Sequence, residues 1–79
     1  MSQWQASLNL ERYDEAVQFA SQVLEKDAKN VKALYRLGLA YAGQGKYQEA
    51  QAKMQEVAQL DPRNKAAKTK AAEFAERAQ

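Results

Sequence analysis

The stretch Val31–Asn64, VKALYRLGLAYAGQGKYQEAQAKMQEVAQLDPRN, sets two amphipathic patterns back to back. In the first, Leu34, Leu37, Ala40 and Tyr41 recur at helical spacing, which predicts a helix over Val31–Ala42. Asn30 stands in front of it as a good N-cap. Gly43 and Gly45 are expected to end it, because glycine enters left-handed turn conformations at little cost. In the second pattern, Ala50, Met54, Val57 and Leu60 form one stripe of a helix over Tyr47–Leu60. Pro62 closes that helix, since proline cannot continue one. The stretch therefore reads as a helical hairpin.

The rest of the chain copies part of this hairpin. A shift of 34 residues places Tyr13, Glu15 and Ala16 on Tyr47, Glu49 and Ala50. The same shift places Val23 on Val57, Asp27 on Asp61 and Asn30 on Asn64. A period near this length is that of stacked helical hairpins. The earlier copy, Tyr13–Lys26, carries Ala16, Ala20, Val23 and Leu24 on its stripe. A short separate helix is expected before it, around Gln3–Asn9, and a last helix after Pro62, over roughly Lys65–Ala78. The last one has Ala67, Ala71, Phe74, Ala75 and Ala78 as its apolar stripe. The expectation is five helices joined by tight turns and no strand.

Composition removes several classes of function. The 79 residues suffice for one domain. There is no histidine and no cysteine, so the commonest general base, the commonest neutral metal ligand and any thiolate site are missing. No glycine-rich phosphate loop follows a strand, and no convergent carboxylate pair emerges from the spacing. The chain is expected not to be an enzyme and to need no metal or cofactor. Twelve Lys and Arg stand against ten Asp and Glu, too even a balance for the basic patch that nucleic acid requires. No apolar run approaches a membrane span, and MSQWQASLNLER has neither the basic nor the apolar region of a signal peptide. A cytoplasmic location is the default expectation.

Residues Val31–Asn64 resemble a complete tetratricopeptide repeat. The resemblance rests on Leu34, Leu37-Gly38, Tyr41, Gly45, Tyr47, Ala50, Val57 and Pro62, with Leu34 where Trp is often found and Met54 where an aromatic is usual. Leu10–Asn30 resembles the second half of a preceding repeat, in which Glu11 and Ala28 replace the turn glycine and the closing proline. Lys65–Gln79 is similar to the capping helix that ends such arrays. The resemblance implies an all-α fold, a short helical solenoid of about one and a half repeats plus a cap. Its units are a partial repeat at residues 1–30, a complete repeat at 31–64 and the cap at 65–79. Small residues at Gly38, Ala40 and Ala50 would let helices approach closely, and Tyr41 and Tyr47 would supply large buried faces with polar tips.

A narrower stretch, Val23–Arg36 (VLEKDAKNVKALYR), resembles the junction before the third repeat of co-chaperones such as the large immunophilins. That resemblance implies a protein-binding module. In the family, Lys, Asn and Arg side chains clamp the acidic C-terminal tail of heat-shock chaperones, and Lys32 and Arg36 stand at the third repeat's Lys and Arg positions. Residues four apart on a helix share a face, and Lys and Arg are suited to a carboxylate. The expected partner-binding residues are Lys32, Arg36, Leu39 and Gly43 on the concave face. Ser2 falls where the second repeat's clamp Asn would be, so the clamp is incomplete and tail binding by a monomer is expected to be weak. The plainer reading of the Lys32–Arg36 pair is a solvated, solubilising helix face.

Trp4 and Leu8 lie in the truncated first helix. They either pack on the Tyr13 helix or mark an open solenoid end through which the chain forms a homodimer. The last helix is basic and amphipathic, but Phe74 is its single large apolar anchor. Grooves that capture helices use several such anchors, so a cap is the better reading. The competing function class is a structural or self-associating module, excised or designed, that keeps no peptide binding.

Overall fold

The structure, a computed structural model, describes residues 2–78, with side chains for residues 12–78. It contains α1 (Ser2–Lys26), α2 (Val31–Gly43), α3 (Tyr47–Leu60) and α4 (Lys65–Arg77), and no strand among the described residues. Each helix packs on its sequence neighbours, α1 on α2, α2 on α3 and α3 on α4. This is the layered hairpin stack expected of an all-α helical repeat.

The repeated Asp-x-basic-Asn frame has a structural meaning. The amide of Asn30 donates to the Asp27 carbonyl at 3.1 Å, and the amide of Asn64 donates to Asp61 at 3.0 Å. The two asparagine side chains then accept from the amides of Ala33 and Ala67, each at 3.0 Å. The same short turn and N-cap thus open α2 and α4. The cap satisfies one of the amides that a helix start leaves without a partner. Asn30→Ala is expected to lower stability by about 1 kcal/mol in chemical denaturation, and Asn64→Ala by a similar amount.

Four helices stand where five were expected. The turn between α2 and α3 shows why. Gly45 has φ 83°, the only positive φ among the described residues. Its amide donates to Ala42 at 3.0 Å and the amide of Lys46 donates to Tyr41 at 2.8 Å. That is a Schellman closure, which places a left-handed residue just past the helix. The residue 34 positions earlier is Glu11, whose Cβ makes the left-handed region costly. With no glycine or proline between Asn9 and Tyr13, the chain stays helical, and the expected short helix joins Tyr13–Lys26 as α1.

The core lies between α2, α3 and α4, in the cluster Leu34, Ala50, Met54, Val57, Ala67 and Phe74. Gly38 sets the α2–α3 approach, because a Cβ there would lie 2.8 Å from Met54 Cε and 3.4 Å from the Ala50 carbonyl oxygen. Phe74 locks α4 down, with its ring centroid 6.0 Å from that of Tyr47 at a 41° tilt. Burial of Phe74 leaves α4 with no large exposed apolar side chain among the described residues.

Gly43 is corrected on one point. It is the last residue of α2 and has no positive φ, so Gly45 alone makes the turn. Gly43 is small for another reason: the Tyr13 ring of α1 lies where its Cβ would be. Beside this contact, the Gln44 side-chain amide donates to Asp14, which ties α1 to the α2–α3 turn.

Candidate functional site

The N-cap at Asn30 fixes the start of α2, and the burial of Ala33, Leu34, Leu37 and Gly38 fixes its rotation. Lys32, Arg36 and Leu39 are then left on the exposed side. Leu39 is one of the few large apolar residues exposed there, at 37 %. Neither Lys32 nor Arg36 forms an ion pair among the described residues, where the recorded pairs are Lys53–Glu56 and Lys70–Glu73. Both positive side chains are exposed.

Lys32 and Arg36 form a ridge between two hollows. On one side, a depression of about 360 Å³ is lined by Val31, Lys32, Tyr35, Arg36, Asn64 and Ala66. It joins α2 to the N-terminal turn of α4. On the other side, a groove of about 590 Å³ runs between α1 and α2 and includes Phe19, Ala20, Val23 and Ala33 as well as the two cations. A negatively charged group over the ridge would meet a point charge from Lys32 and a planar fork from Arg36. Apolar surface lies within reach on each side. The arrangement suits recognition of an extended segment or a helix. No cluster of three or more potential metal ligands occurs among the described residues.

Four residue positions of this site escaped the sequence reading. Tyr35, Asn64 and Ala66 line the smaller hollow. Tyr35 lies three residues after Lys32, on the same helix face, so spacing alone held that signal. Phe19 lies in the larger groove and is 62 % exposed. Its signal was its repeat partner, since the residue 34 positions later is Lys53, a polar residue. Of the expected residues, Lys32, Arg36 and Leu39 share the exposed side of α2, while Gly43 sits under the Tyr13 ring. Trp4, Leu8 and Ser2 fall within α1, but their side chains lie outside the described residues.

The sequence profile described as "Tetratricopeptide repeat" matches residues 31–64, the span of α2, α3 and their flanking turns. The chain carries a tetratricopeptide repeat. Peptidyl-prolyl cis-trans isomerase FKBP4 of Homo sapiens is 40% identical over 65 residues, covering 82% of this chain and 14% of that protein. Sperm-associated antigen 1 of Mus musculus is 41% identical over 64 residues, covering 81% of this chain and 7% of the relative. FK506-binding protein-like of Homo sapiens is 42% identical over 52 residues, covering 66% of this chain and 15% of the relative. The chain thus spans no more than about a seventh of these relatives. Isomerisation is named for one relative as a whole, and the part shared with this chain is the helical repeat. The tetratricopeptide repeat is a protein–protein interaction module, and this chain is an all-α example. No helix among the described residues is long and apolar enough to cross a membrane.

Proposed function

We propose that the chain binds a protein partner through the α2 face that carries Lys32 and Arg36, the face we take as concave. The chain catalyses nothing in this reading and works in the cytoplasm. The preferred ligand is an acidic peptide ending in a free carboxylate, of the kind the co-chaperone resemblance implies for a heat-shock chaperone tail. The observation that carries the reading is the exposed Lys32–Arg36 ridge with the Tyr35–Asn64–Ala66 hollow beside it. The terminal carboxylate sits on the cations, and the preceding apolar side chain enters the hollow. Leu39 extends the same face by one turn.

The affinity follows from the exposure. Two solvent-exposed ion pairs contribute about 0–1 kcal/mol each, at most about 2 kcal/mol together, so the cations alone fall short of the about −4 kcal/mol of a millimolar complex and the hollow must supply the rest. Such contacts are screened as ionic strength rises. A fluorescent acidic pentapeptide with a free C-terminus should therefore bind weakly and lose affinity as salt is added. Lys32→Glu should remove that binding without changing the circular dichroism, since Lys32 is exposed. Salt-independent binding, or binding that survives Lys32→Glu, contradicts the proposal.

A further inference from the structure

The groove between α1 and α2 has a counterpart that is filled. A shift of 34 residues carries Ala16, Ala20 and Val23 of α1 onto Ala50, Met54 and Val57 of α3, and Ala33 of α2 onto Ala67 of α4. Those four later residues form the seat on which α2 packs, and all are fully buried. In the earlier copy Ala20 and Ala33 are buried but Ala16 and Val23 only half-buried, all four line a groove of about 590 Å³, and Phe19 stands beside them with 62 % of its surface exposed. The repeat geometry therefore makes this groove the seat of a helix.

The sequence of α1 supplies that helix. At 100° per residue, positions 4, 8, 12, 15, 19 and 23 fall on one stripe about 100° wide. The groove-lining residues Arg12, Glu15, Phe19 and Val23 belong to it, and the period carries it back through Leu8 and Trp4. Position numbers along the stripe pair to a constant sum of 27, the condition for two antiparallel copies of one helix to meet about a twofold axis. In that register Trp4 meets Val23, Leu8 meets Phe19, and Arg12 meets Glu15 of the second copy. Apolar residues meet apolar ones at both ends, and opposite charges meet at the centre. Tyr13 lies against Gly43 at the C-terminal end of α2, and α1 begins at Ser2, eleven residues before that contact.

We propose that the α1–α2 groove is occupied by α1 of a second copy, forming an antiparallel, twofold-symmetric dimer with the Trp4–Val23, Leu8–Phe19 and Arg12–Glu15 register. An isologous contact of this kind closes on itself and stops at two chains. Lys32 and Arg36 edge this groove as well as the peptide face, so the two readings are told apart by their measurements: mass reads the dimer, and a monomeric chain would leave the peptide reading untouched.

Sedimentation velocity of the full chain from about 5 to about 500 µM tests it, since association follows mass action. The weight-average mass should rise from 8.9 kDa toward twice that value. Phe19→Glu should hold the mass at the monomer value, with helicity retained because Phe19 is exposed. Arg12→Glu should weaken the dimer by on the order of tenfold, and the exchange of charges in Arg12→Glu with Glu15→Arg should restore it. A monomer at every concentration overturns the proposal. So does a dimer that persists in Phe19→Glu, or a charge exchange that does not restore association.

Discussion

Phe74→Ala is expected to lower the unfolding free energy by about 3–5 kcal/mol. Phe74 is 6 % exposed and meets the Tyr47 ring at a 41° tilt, and it is the large side chain that α4 contributes to the core cluster. Its removal leaves α4 held mainly by Ala67 and the half-buried Ala71. A chain of 79 residues commands only about 4–12 kcal/mol in all, so this loss consumes much of the total. The melting temperature should fall by about 15–30 °C. Arg77 lies over the Tyr47 ring, 5.9 Å from its centre, and gives a built-in control. Arg77→Ala removes only a cation–π contact and should cost less than about 1 kcal/mol. Urea denaturation followed by circular dichroism separates the two. Equal losses would mean that α4 is not held through Phe74.

Met54→Ala is expected to cost about 2–5 kcal/mol, because Met54 is fully buried and its loss opens a cavity at the α2–α3 contact. The contact predicts how that cost changes in company. A Cβ at Gly38 would stand 2.8 Å from Met54 Cε, so Gly38→Ala forces the methionine tip to move in the parent chain. In Met54→Ala the tip is gone, and the new methyl enters vacated space. Gly38→Ala also brings a helix-propensity gain of about 1 kcal/mol in either background. The double variant should therefore be more stable than the sum of the single effects predicts, by on the order of 1 kcal/mol. Strict additivity would show that Gly38 and Met54 do not touch.

The repeat made most of this fold legible. Tyr13, Glu15, Ala16, Val23, Asp27 and Asn30 each recur 34 residues later, and each turn or stripe they define appears in the structure. The caps were readable because an asparagine before an apolar period has one favoured use. The helix count was less legible. A short helix before Tyr13 followed from analogy with the complete repeat, but Glu11 stands where Gly45 makes the turn, and a side chain there favours continued helix. Gly43 looked like half of a two-glycine stop. Its small size instead admits a ring from a different helix, a contact between residues 30 positions apart that no local pattern displays.

The candidate site was half legible. Lys32 and Arg36 were found from spacing and resemblance, and the structure leaves both exposed. Tyr35, Asn64 and Ala66 were missed because the hollow they line exists only once α4 is packed beside α2. Phe19 was missed because it lies off the Ala16, Ala20, Val23 and Leu24 stripe and has the polar Lys53 as its repeat partner. Only the open α1–α2 groove shows that the surface it would bury against belongs to no residue of its own chain among those described.

The most direct test of the central claim, recognition of a partner through the α2 face, is a nitrogen-15 NMR titration of the chain with an acidic peptide bearing a free C-terminal carboxylate. The account predicts saturable, salt-sensitive amide shifts centred on Lys32, Tyr35, Arg36, Asn64 and Ala66, and none in Lys32→Glu. Shifts centred on the outer face of α3, or no shifts at low salt and high peptide concentration, would contradict it.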